Sequence, residues 1–321
     1  LVASVALLAC SSSRADAITG GDQDLTQSKR DWSAHPALLA IDDADEIYAL
    51  SDPHGHYDML VQLLVANHLV DVGSDPKSAR WTGGSALLVV AGDLIDKGDE
   101  SLQVIDLLRA LQSSGRIIVT LGNHEAEFFA DPKNDKASRT GEDADGIDNE
   151  LDAQRIDPKS IASGADAAGR GRWLADLPFA VRVKKWFFSH AGNSQKLSMK
   201  DLEKKLEDSL DHNGWDDKDI TGNDSILEAQ SWYGDPKDDG CAKKEADALG
   251  VDHIVFGHDP GALDDHGSII ASKNGILVKL DTAMGIHDGA GIGKAYLLHV
   301  STVGKDTAEA LDASRVATPL F

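Results

Sequence analysis

Ala86-Leu87-Leu88-Val89-Val90-Ala91-Gly92-Asp93-Leu94-Ile95-Asp96-Lys97-Gly98 is the stretch that decides how this chain is read. The apolar run from Ala86 to Val90 reads as a strand, and it stops at Gly92. Two carboxylates, Asp93 and Asp96, follow in the loop. Beyond Gly98 the period changes, with Leu102, Ile105, Leu108 and Leu111 recurring on one helical face. Strand, glycine-bounded acidic loop and helix is the unit by which α/β proteins present polar groups at the carboxyl ends of strands.

The same unit lies on either side. Upstream, Glu46 to Leu50 reads as a strand that runs into Ser51-Asp52-Pro53-His54-Gly55-His56, and Leu60, Leu63, Leu64 and Leu69 then mark a helix. Downstream, Arg116 to Thr120 reads as a strand ending at Leu121-Gly122-Asn123-His124-Glu125, with a helix beginning over Ala126–Ala130. Three such units predict a parallel-type sheet whose site runs along one edge. Further on, Phe179–Val183 and Lys185–Phe188 read as a hairpin that feeds Ser189-His190-Ala191-Gly192. Val251–Phe256 leads into Gly257-His258-Asp259-Pro260. Late strands at Gly275–Leu280 and Lys294–Val300, with no long helix between them, predict a second sheet packed on the first.

Other segments differ in character. Residues 18–44 are polar and read as an irregular lead-in, packed by Trp32 and His35-Pro36. Residues 131–171, rich in Asp, Lys, Gly and Ser, read as an insertion that is mobile or only partly helical. Residues 199–232 read as helical pieces broken at Asn213-Gly214 and Gly222-Asn223.

A chain of 321 residues with 41% hydrophobic content buries a large core. Its formal charge of -23 argues against nucleic-acid or anionic-membrane partners, which select basic surfaces. Residues 1–17 read as a leader, leaving 18–321 as a single domain. Ala15-Asp16-Ala17 suits cleavage before Ile18, while Leu7-Leu8-Ala9-Cys10 suits a lipid anchor at Cys10. Either gives the expectation of a secreted, periplasmic or cell-envelope protein. No other stretch is apolar enough to span a membrane. With Cys10 removed or lipidated, Cys241 is left as a structural residue without an internal disulfide.

The candidate site residues are Asp52 and His54, Asp93 and Asp96, Asn123 and His124, His190, and His258. A lone histidine at a strand end is usually a cap or a core residue; the same chemistry repeated at successive strand ends is not explained that way. Aspartate with imidazole suits Mn, Fe or Zn better than an all-oxygen Ca site. One aspartate can bridge two ions about 3.5–4 Å apart, the spacing that activates water for phosphoryl transfer.

Asp52-x-His54-Gly55, Gly92-Asp93-x-x-Asp96-Lys97-Gly98, Gly122-Asn123-His124-Glu125, His190-Ala191-Gly192 and Gly257-His258 together resemble the ordered signature of the calcineurin-like metallophosphatases. The series is most similar to the phosphoprotein-phosphatase branch, and within it to the bacterial, Shewanella-like phosphatases; it covers residues 46 to about 301. Pro260, where many relatives outside that branch carry a second histidine, agrees with the assignment. The resemblance implies an α/β fold of two packed mixed β-sheets flanked by helices, in four layers α/β/β/α. It implies two divalent ions, manganese first, with iron or zinc as alternatives. Asp52 and His54 would hold the first ion, Asp93 would bridge, and Asn123, His190 and His258 would hold the second. His124 would be the general acid, oriented by Asp96, since a carboxylate fixes an imidazole ring and supports the charged form an acid needs. Lys97 and Asn123 would bind phosphate.

Departures from the family pattern carry their own expectations. Ser51 stands where glycine is usual, and Lys97 where an arginine grips phosphate, so a bidentate fork becomes a point charge. A second phosphate-binding arginine has no counterpart, because residues 183–258 contain no Arg. His56, His253 and His287 are read as non-ligands, and Trp232-Tyr233-Gly234-Asp235-Pro236 as an aromatic rim of the cleft. Cys241 has no Arg six residues on, which excludes cysteine-based phosphatase chemistry. The expected activity is hydrolysis of phosphate monoesters, in phosphorylated proteins (Tyr or Ser/Thr) or small phosphoesters, by a metal-bridging hydroxide with His124 as acid. The alternatives are a dinucleoside polyphosphate hydrolase and a non-catalytic, metal-bound binding domain.

Overall fold

The computed structural model describes residues 29–141, 145–235, 237, 239–288 and 291–321. The leader and Cys10 lie outside the described residues. Cys241 lies in the helix Gly240–Leu249.

Two six-stranded mixed sheets form the centre. In the first, Glu46–Leu50, Leu87–Ala91 and Ile117–Thr120 run parallel, as expected from the repeated strand–loop–helix unit. In the second, the hairpin Ala180–Val183 and Trp186–Ser189 is followed by His253–Phe256 and Leu277–Lys279, the last three strands being mutually parallel. The side-chain period of two divides each strand between two cores. Ile47, Ala49, Leu87, Val89 and Ala91 of the first sheet join Val181, Trp186, Phe188 and Val255 of the second in one apolar layer between the sheets. Leu50, Leu88, Val90 and Val119 point the other way, into a cluster with Leu60, Leu63, Leu102, Ile105 and Leu108 from the helices Tyr57–Ala66 and Ser101–Gln112. Each such buried aliphatic side chain contributes about 1.5–3 kcal/mol relative to exposure. Phe187, Ile254 and Leu277 face the same cluster, which includes Ala242, Ala246 and Leu249 of the helix Gly240–Leu249. The layers are therefore α/β/β/α, and every residue of Leu87–Ala91 is buried, as a two-faced strand must be.

Three differences from the sequence reading have physical causes. Leu38–Ile41, within the segment read as irregular, is an edge strand paired in parallel with Ala180–Val183. A four-residue strand whose partner lies some 140 residues away has no local signal. The late strands divide: Leu277–Lys279 joins the second sheet, but Tyr296–Ser301 pairs antiparallel with Glu46–Leu50 and extends the first. Thr307–Asp312 and Ala317–Pro319 continue that edge.

The third difference is the insertion. It is partly helical as expected, with Ile147–Gln154, Pro158–Ala162 and Arg170–Ala175, but it is packed on the body of the protein. Ile147, Leu151, Ile161, Ala162 and Leu174 belong to the main core. Gly171 lets two of its helices touch, since a Cβ there would meet the Ile161 carbonyl oxygen at 1.8 Å. Arg170 clamps the insertion to the helix Ser101–Gln112 by a bidentate pair, Nε to Asp106 Oδ1 at 2.9 Å and Nη2 to Oδ2 at 2.7 Å. The helices Met199–Asn213 and Lys218–Thr221 break where Gly214 and Gly222 predict. Among the described residues no helix is long and apolar enough to cross a membrane.

Candidate metal centre

The strand-end loops converge because the backbone turns sharply at the site residues themselves. Asp52, His54, Asp93, Asp96, Lys97 and His258 all have positive φ, between 41° and 67°. Non-glycine residues hold that conformation only where their surroundings fix it. Here Asp52 N–H donates to Gly92 O, His54 N–H to Asp93 O and Gly257 N–H to His190 O. Gly92, with φ 80°, permits the closest approach: a Cβ there would meet Gly122 Cα at 2.6 Å and His190 Nδ1 at 2.8 Å.

Asp93 stands at the middle. One carboxylate oxygen is 3.4 Å from His54 Nε2 and 3.8 Å from His124 Nε2. The other is 3.3 Å from His190 Nε2 and accepts the His124 backbone N–H at 3.1 Å. Donor atoms of His54, Asp93 and His124 form one compact group, and those of Asp93, His190 and His258 form a second. The structure thus brings the two sets together with Asp93 common to both. Asp52 lies between them, with Oδ1 at 3.9 Å from His54 Nε2 and 4.0 Å from His190 Nδ1, and both its oxygens accept His258 N–H. Asn123 Oδ1 is 2.9 Å from His190 Nε2. The geometry differs from the sequence expectation in one respect: the compact group on the first side contains His124 beside His54, with Asp52 set further off.

The donor set fits divalent ions. His54 and His190 each turn Nδ1 to a backbone carbonyl, of Ile95 and Ala91, both at 3.0 Å. That directs Nε2 inward, as second-layer hydrogen bonds do at metal sites. His258 Nε2 turns to Glu228 O at 3.1 Å, leaving Nδ1 for a ligand. Around His190, oxygens of Ala91, Asn123 and Asp93 face both ring nitrogens, a surrounding that favours positive charge on the ring or a cation beside it. Burial opposes that charge most strongly, but the charge and hydrogen bond of Asp93, the Asp52 carboxylate and the Ala91 carbonyl together push His190 up to about 10. Burial, then the neighbouring Asp281 carboxylate, holds Asp52 well above the usual carboxylate range. Burial, then the cationic His190, brings His258 down to about 3. Crowded buried carboxylates beside neutral imidazoles are a set that a cation relieves.

His124 Nδ1 is 2.7 Å from Asp96 Oδ2, the pairing read from the sequence. The other oxygen, Asp96 Oδ1, accepts the backbone N–H of Ile147 at 2.8 Å, so the insertion holds the residue that holds His124. Lys97 Nζ donates to His54 Nε2 at 2.7 Å and lines the cleft together with Asp93, Asp96, Asn123, His124 and His258.

Several functional residues carried no sequence signal. In the sequence Glu125 is merely the last residue of Gly122-Asn123-His124-Glu125. Its buried carboxylate accepts four backbone N–H groups: Gly122 at 2.8 Å, Leu94 at 2.7 Å, Asp93 at 3.1 Å and Ile95 at 3.2 Å. It therefore locks the Asp93 loop to the His124 loop. Burial and then the Asp93 charge push Glu125 up to about 7. Asp281, buried just past the strand Leu277–Lys279, accepts Ala283 N–H at 2.8 Å and faces Asp93 and Lys97 electrostatically. Trp232 and Tyr233, expected as a cleft rim, are instead buried braces. Trp232 Nε1 donates to Ala191 O at 2.7 Å, Tyr233 Oη accepts Leu263 N–H at 3.2 Å, and both rings pack on Phe256. His56 packs against Gly285, His253 stacks on Trp186, and neither belongs to the two compact donor groups. His287 is exposed.

Comparison with known proteins agrees with this geometry. The calcineurin-like phosphoesterase profile matches residues 46–262. Shewanella-like protein phosphatase 2 of Arabidopsis thaliana is 33% identical over 86 residues, 25% of this chain and 21% of that protein. The symmetrical bis(5'-nucleosyl)-tetraphosphatase of Cronobacter sakazakii is 32% identical over 147 residues, 45% of this chain and 42% of that one. The chain thus spans less than half the length of these two relatives. Among solved structures, the cold-active protein-tyrosine phosphatase of a psychrophilic Shewanella superposes with a TM-score of 0.66 at 17% identity, covering 89% of this chain and 82% of that one. A Saccharomyces cerevisiae protein serine/threonine phosphatase gives 0.58 at 15% identity, over 84% and 78%. These likenesses show the fold; the profile, matched across two thirds of the sequence, shows that the chain belongs to the calcineurin-like phosphoesterase family.

Proposed function

We propose that this chain hydrolyses phosphate monoesters at a two-metal centre, with phosphorylated protein side chains as its substrate class. The observation that supports the centre above all is the Asp93 carboxylate shared between the His54–His124 and His190–His258 groups. Two divalent ions held by Asp52, His54, Asp93, Asn123, His190 and His258 would act as Lewis acids and provide a water-derived nucleophile at neutral pH, with manganese, iron and zinc all compatible with the donors.

The chain's own residues supply the rest. Carbonyls of Ile95 and Ala91 orient the ligating imidazoles. His124 keeps Nδ1 on Asp96 and offers Nε2 to the cleft, where a proton there would pass to the departing oxygen. Lys97 and Asn123 line the same cleft, where they would meet the phosphoryl oxygens.

The cleft encloses about 220 Å³. That is room for a phosphorylated side chain beside the donor groups, while a dinucleotide would extend into the open mouth of the cleft. Two of the relatives' names, a protein phosphatase and a tetraphosphatase, span both options. The test compares phosphotyrosyl and phosphoseryl peptides with diadenosine tetraphosphate, using metal-depleted and Mn-restored protein. Faster turnover of a peptide supports the reading, and faster turnover of the dinucleotide replaces it with the polyphosphate alternative. His124→Asn separates acid from ligand: kcat is expected to fall about 10²–10⁴-fold with both metals retained. Loss of metal in that variant would make His124 a ligand.

A further inference from the structure

Three cations line the cleft, Lys97, Lys136 and Arg139, and the last two come from the insertion. They differ in what holds them. Lys97 is bound to His54. Lys136 Nζ donates to Glu127 Oε1 at 2.7 Å and lies 3.8 Å from Glu228 Oε1. The Arg139 guanidinium has no hydrogen bond or ion pair among the described residues, although its backbone is fixed. Arg139 O accepts Gly146 N–H at 2.8 Å and Asn149 Nδ2 at 2.6 Å. Ala137 of the same turn is fully buried, and its carbonyl accepts Asp148 N–H at 3.0 Å. One residue before Asp148, Ile147 N–H grips Asp96.

We propose that Arg139 is the bidentate phosphate-binding residue of this site, delivered by the insertion and backed by the charge of Lys136. A planar fork with no acceptor in the protein, on a braced turn beside the reacting groups, is suited to an anionic oxygen pair. An acidic chain of net charge -23 offers little general attraction to an anion, so a cation placed at the cleft matters. The turn that carries Arg139 also closes onto Asp96, so the insertion both binds the phosphoryl group and positions the acid. The inference rests on the phosphoesterase reading, and its test is read by binding as well as by turnover.

The experiment titrates inorganic phosphate into the Mn-loaded full chain, by calorimetry and by thermal protection, for wild type, Arg139→Gln, Arg139→Lys and Arg172→Gln. Arg172→Gln makes the same charge change at an exposed position away from the cleft. Arg139→Gln is expected to weaken phosphate about tenfold or more and to raise KM for an aryl phosphate in parallel, with kcat changed less. Arg139→Lys should recover part of the loss, and Arg172→Gln should match wild type. Equal phosphate affinity in wild type and Arg139→Gln overturns the proposal, as does an equal loss in Arg172→Gln. Altered phosphate binding without turnover of any phosphoester would instead leave Arg139 an anion contact and refute the enzyme reading alone.

Discussion

In the loops that follow Glu46–Leu50, Leu87–Ala91 and Ile117–Thr120, each site side chain sits a few residues past a fully buried strand end, and its place is set by that strand. The insertion at 131–171 reaches the same cleft from outside the sheet. What it contributes rests on contacts far apart in sequence: Ile147 with Asp96 across 51 residues, Glu150 with Leu102 across 48, and Arg170 with Asp106 across 64. The contrast separates two ways of building one site. Strand ends carry the candidate donor groups, where backbone geometry is rigid and repeated. The insertion carries braces and cations, where the same chemistry depends on tertiary packing.

The largest effect should come from the strand-end side. Asp93→Asn removes the charge common to both histidine groups and is expected to cost at least about 10³-fold in kcat/KM, with loss of bound metal. A variant of nearly wild-type activity would show that Asp93 does not bridge. Glu125→Gln is next. An amide offers one accepting oxygen where a carboxylate accepts four N–H groups, so about 2–4 kcal/mol of stability and 10–100-fold in metal affinity should be lost together. Denaturation and metal titration of one preparation check both.

On the insertion side, stability and metal binding should part company. Arg170→Met leaves the buried Asp106 with only Lys77, at 3.5 Å, and is expected to cost up to about 3–5 kcal/mol. Metal stoichiometry should stay unchanged, and a loss of metal would mean that the two regions are not separable.

The smallest effect is one of pH. Burial pushes Glu150 up to about 7, against the Leu102 N–H bond and the Arg170 charge. An unfolded glutamate titrates near 4.3. The folded state thus binds the proton more tightly, and the stabilisation present below pH 4.3 is lost as pH rises through about 7. Glu150→Gln should therefore melt a few degrees above wild type at pH 8 and alongside it at pH 4. The reverse order would show that the charged carboxylate is a net stabilising cap of the helix Ser101–Gln112.

The legibility of the sequence follows the same division. Asp93, Asn123, His190 and their partners were readable because period-two strands and a terminating Gly fix where such residues must lie. The His124–Asp96 pair is implied by the resemblance to the calcineurin-like metallophosphatases, since nothing in the spacing of the two loops brings them together. Leu38–Ile41 was not, since an edge strand depends on a distant partner. Glu125 escaped notice as a helix-start glutamate, which is common, while its fourfold acceptance of N–H groups is a property of the assembled loops. Lys136 and Arg139 sat in a polar segment whose composition looks like solvent-exposed chain. Only packing of Ala137, Ile147 and Leu151 against the core turns that segment toward the cleft.

The most direct test of the central claim is the metal content of protein reconstituted with manganese and freed of excess ion, measured beside Asp93→Asn. Two ions per chain in wild type, and loss of both in the variant, is the expected result. One ion or none in wild type, or two retained without Asp93, would contradict a centre bridged by that carboxylate.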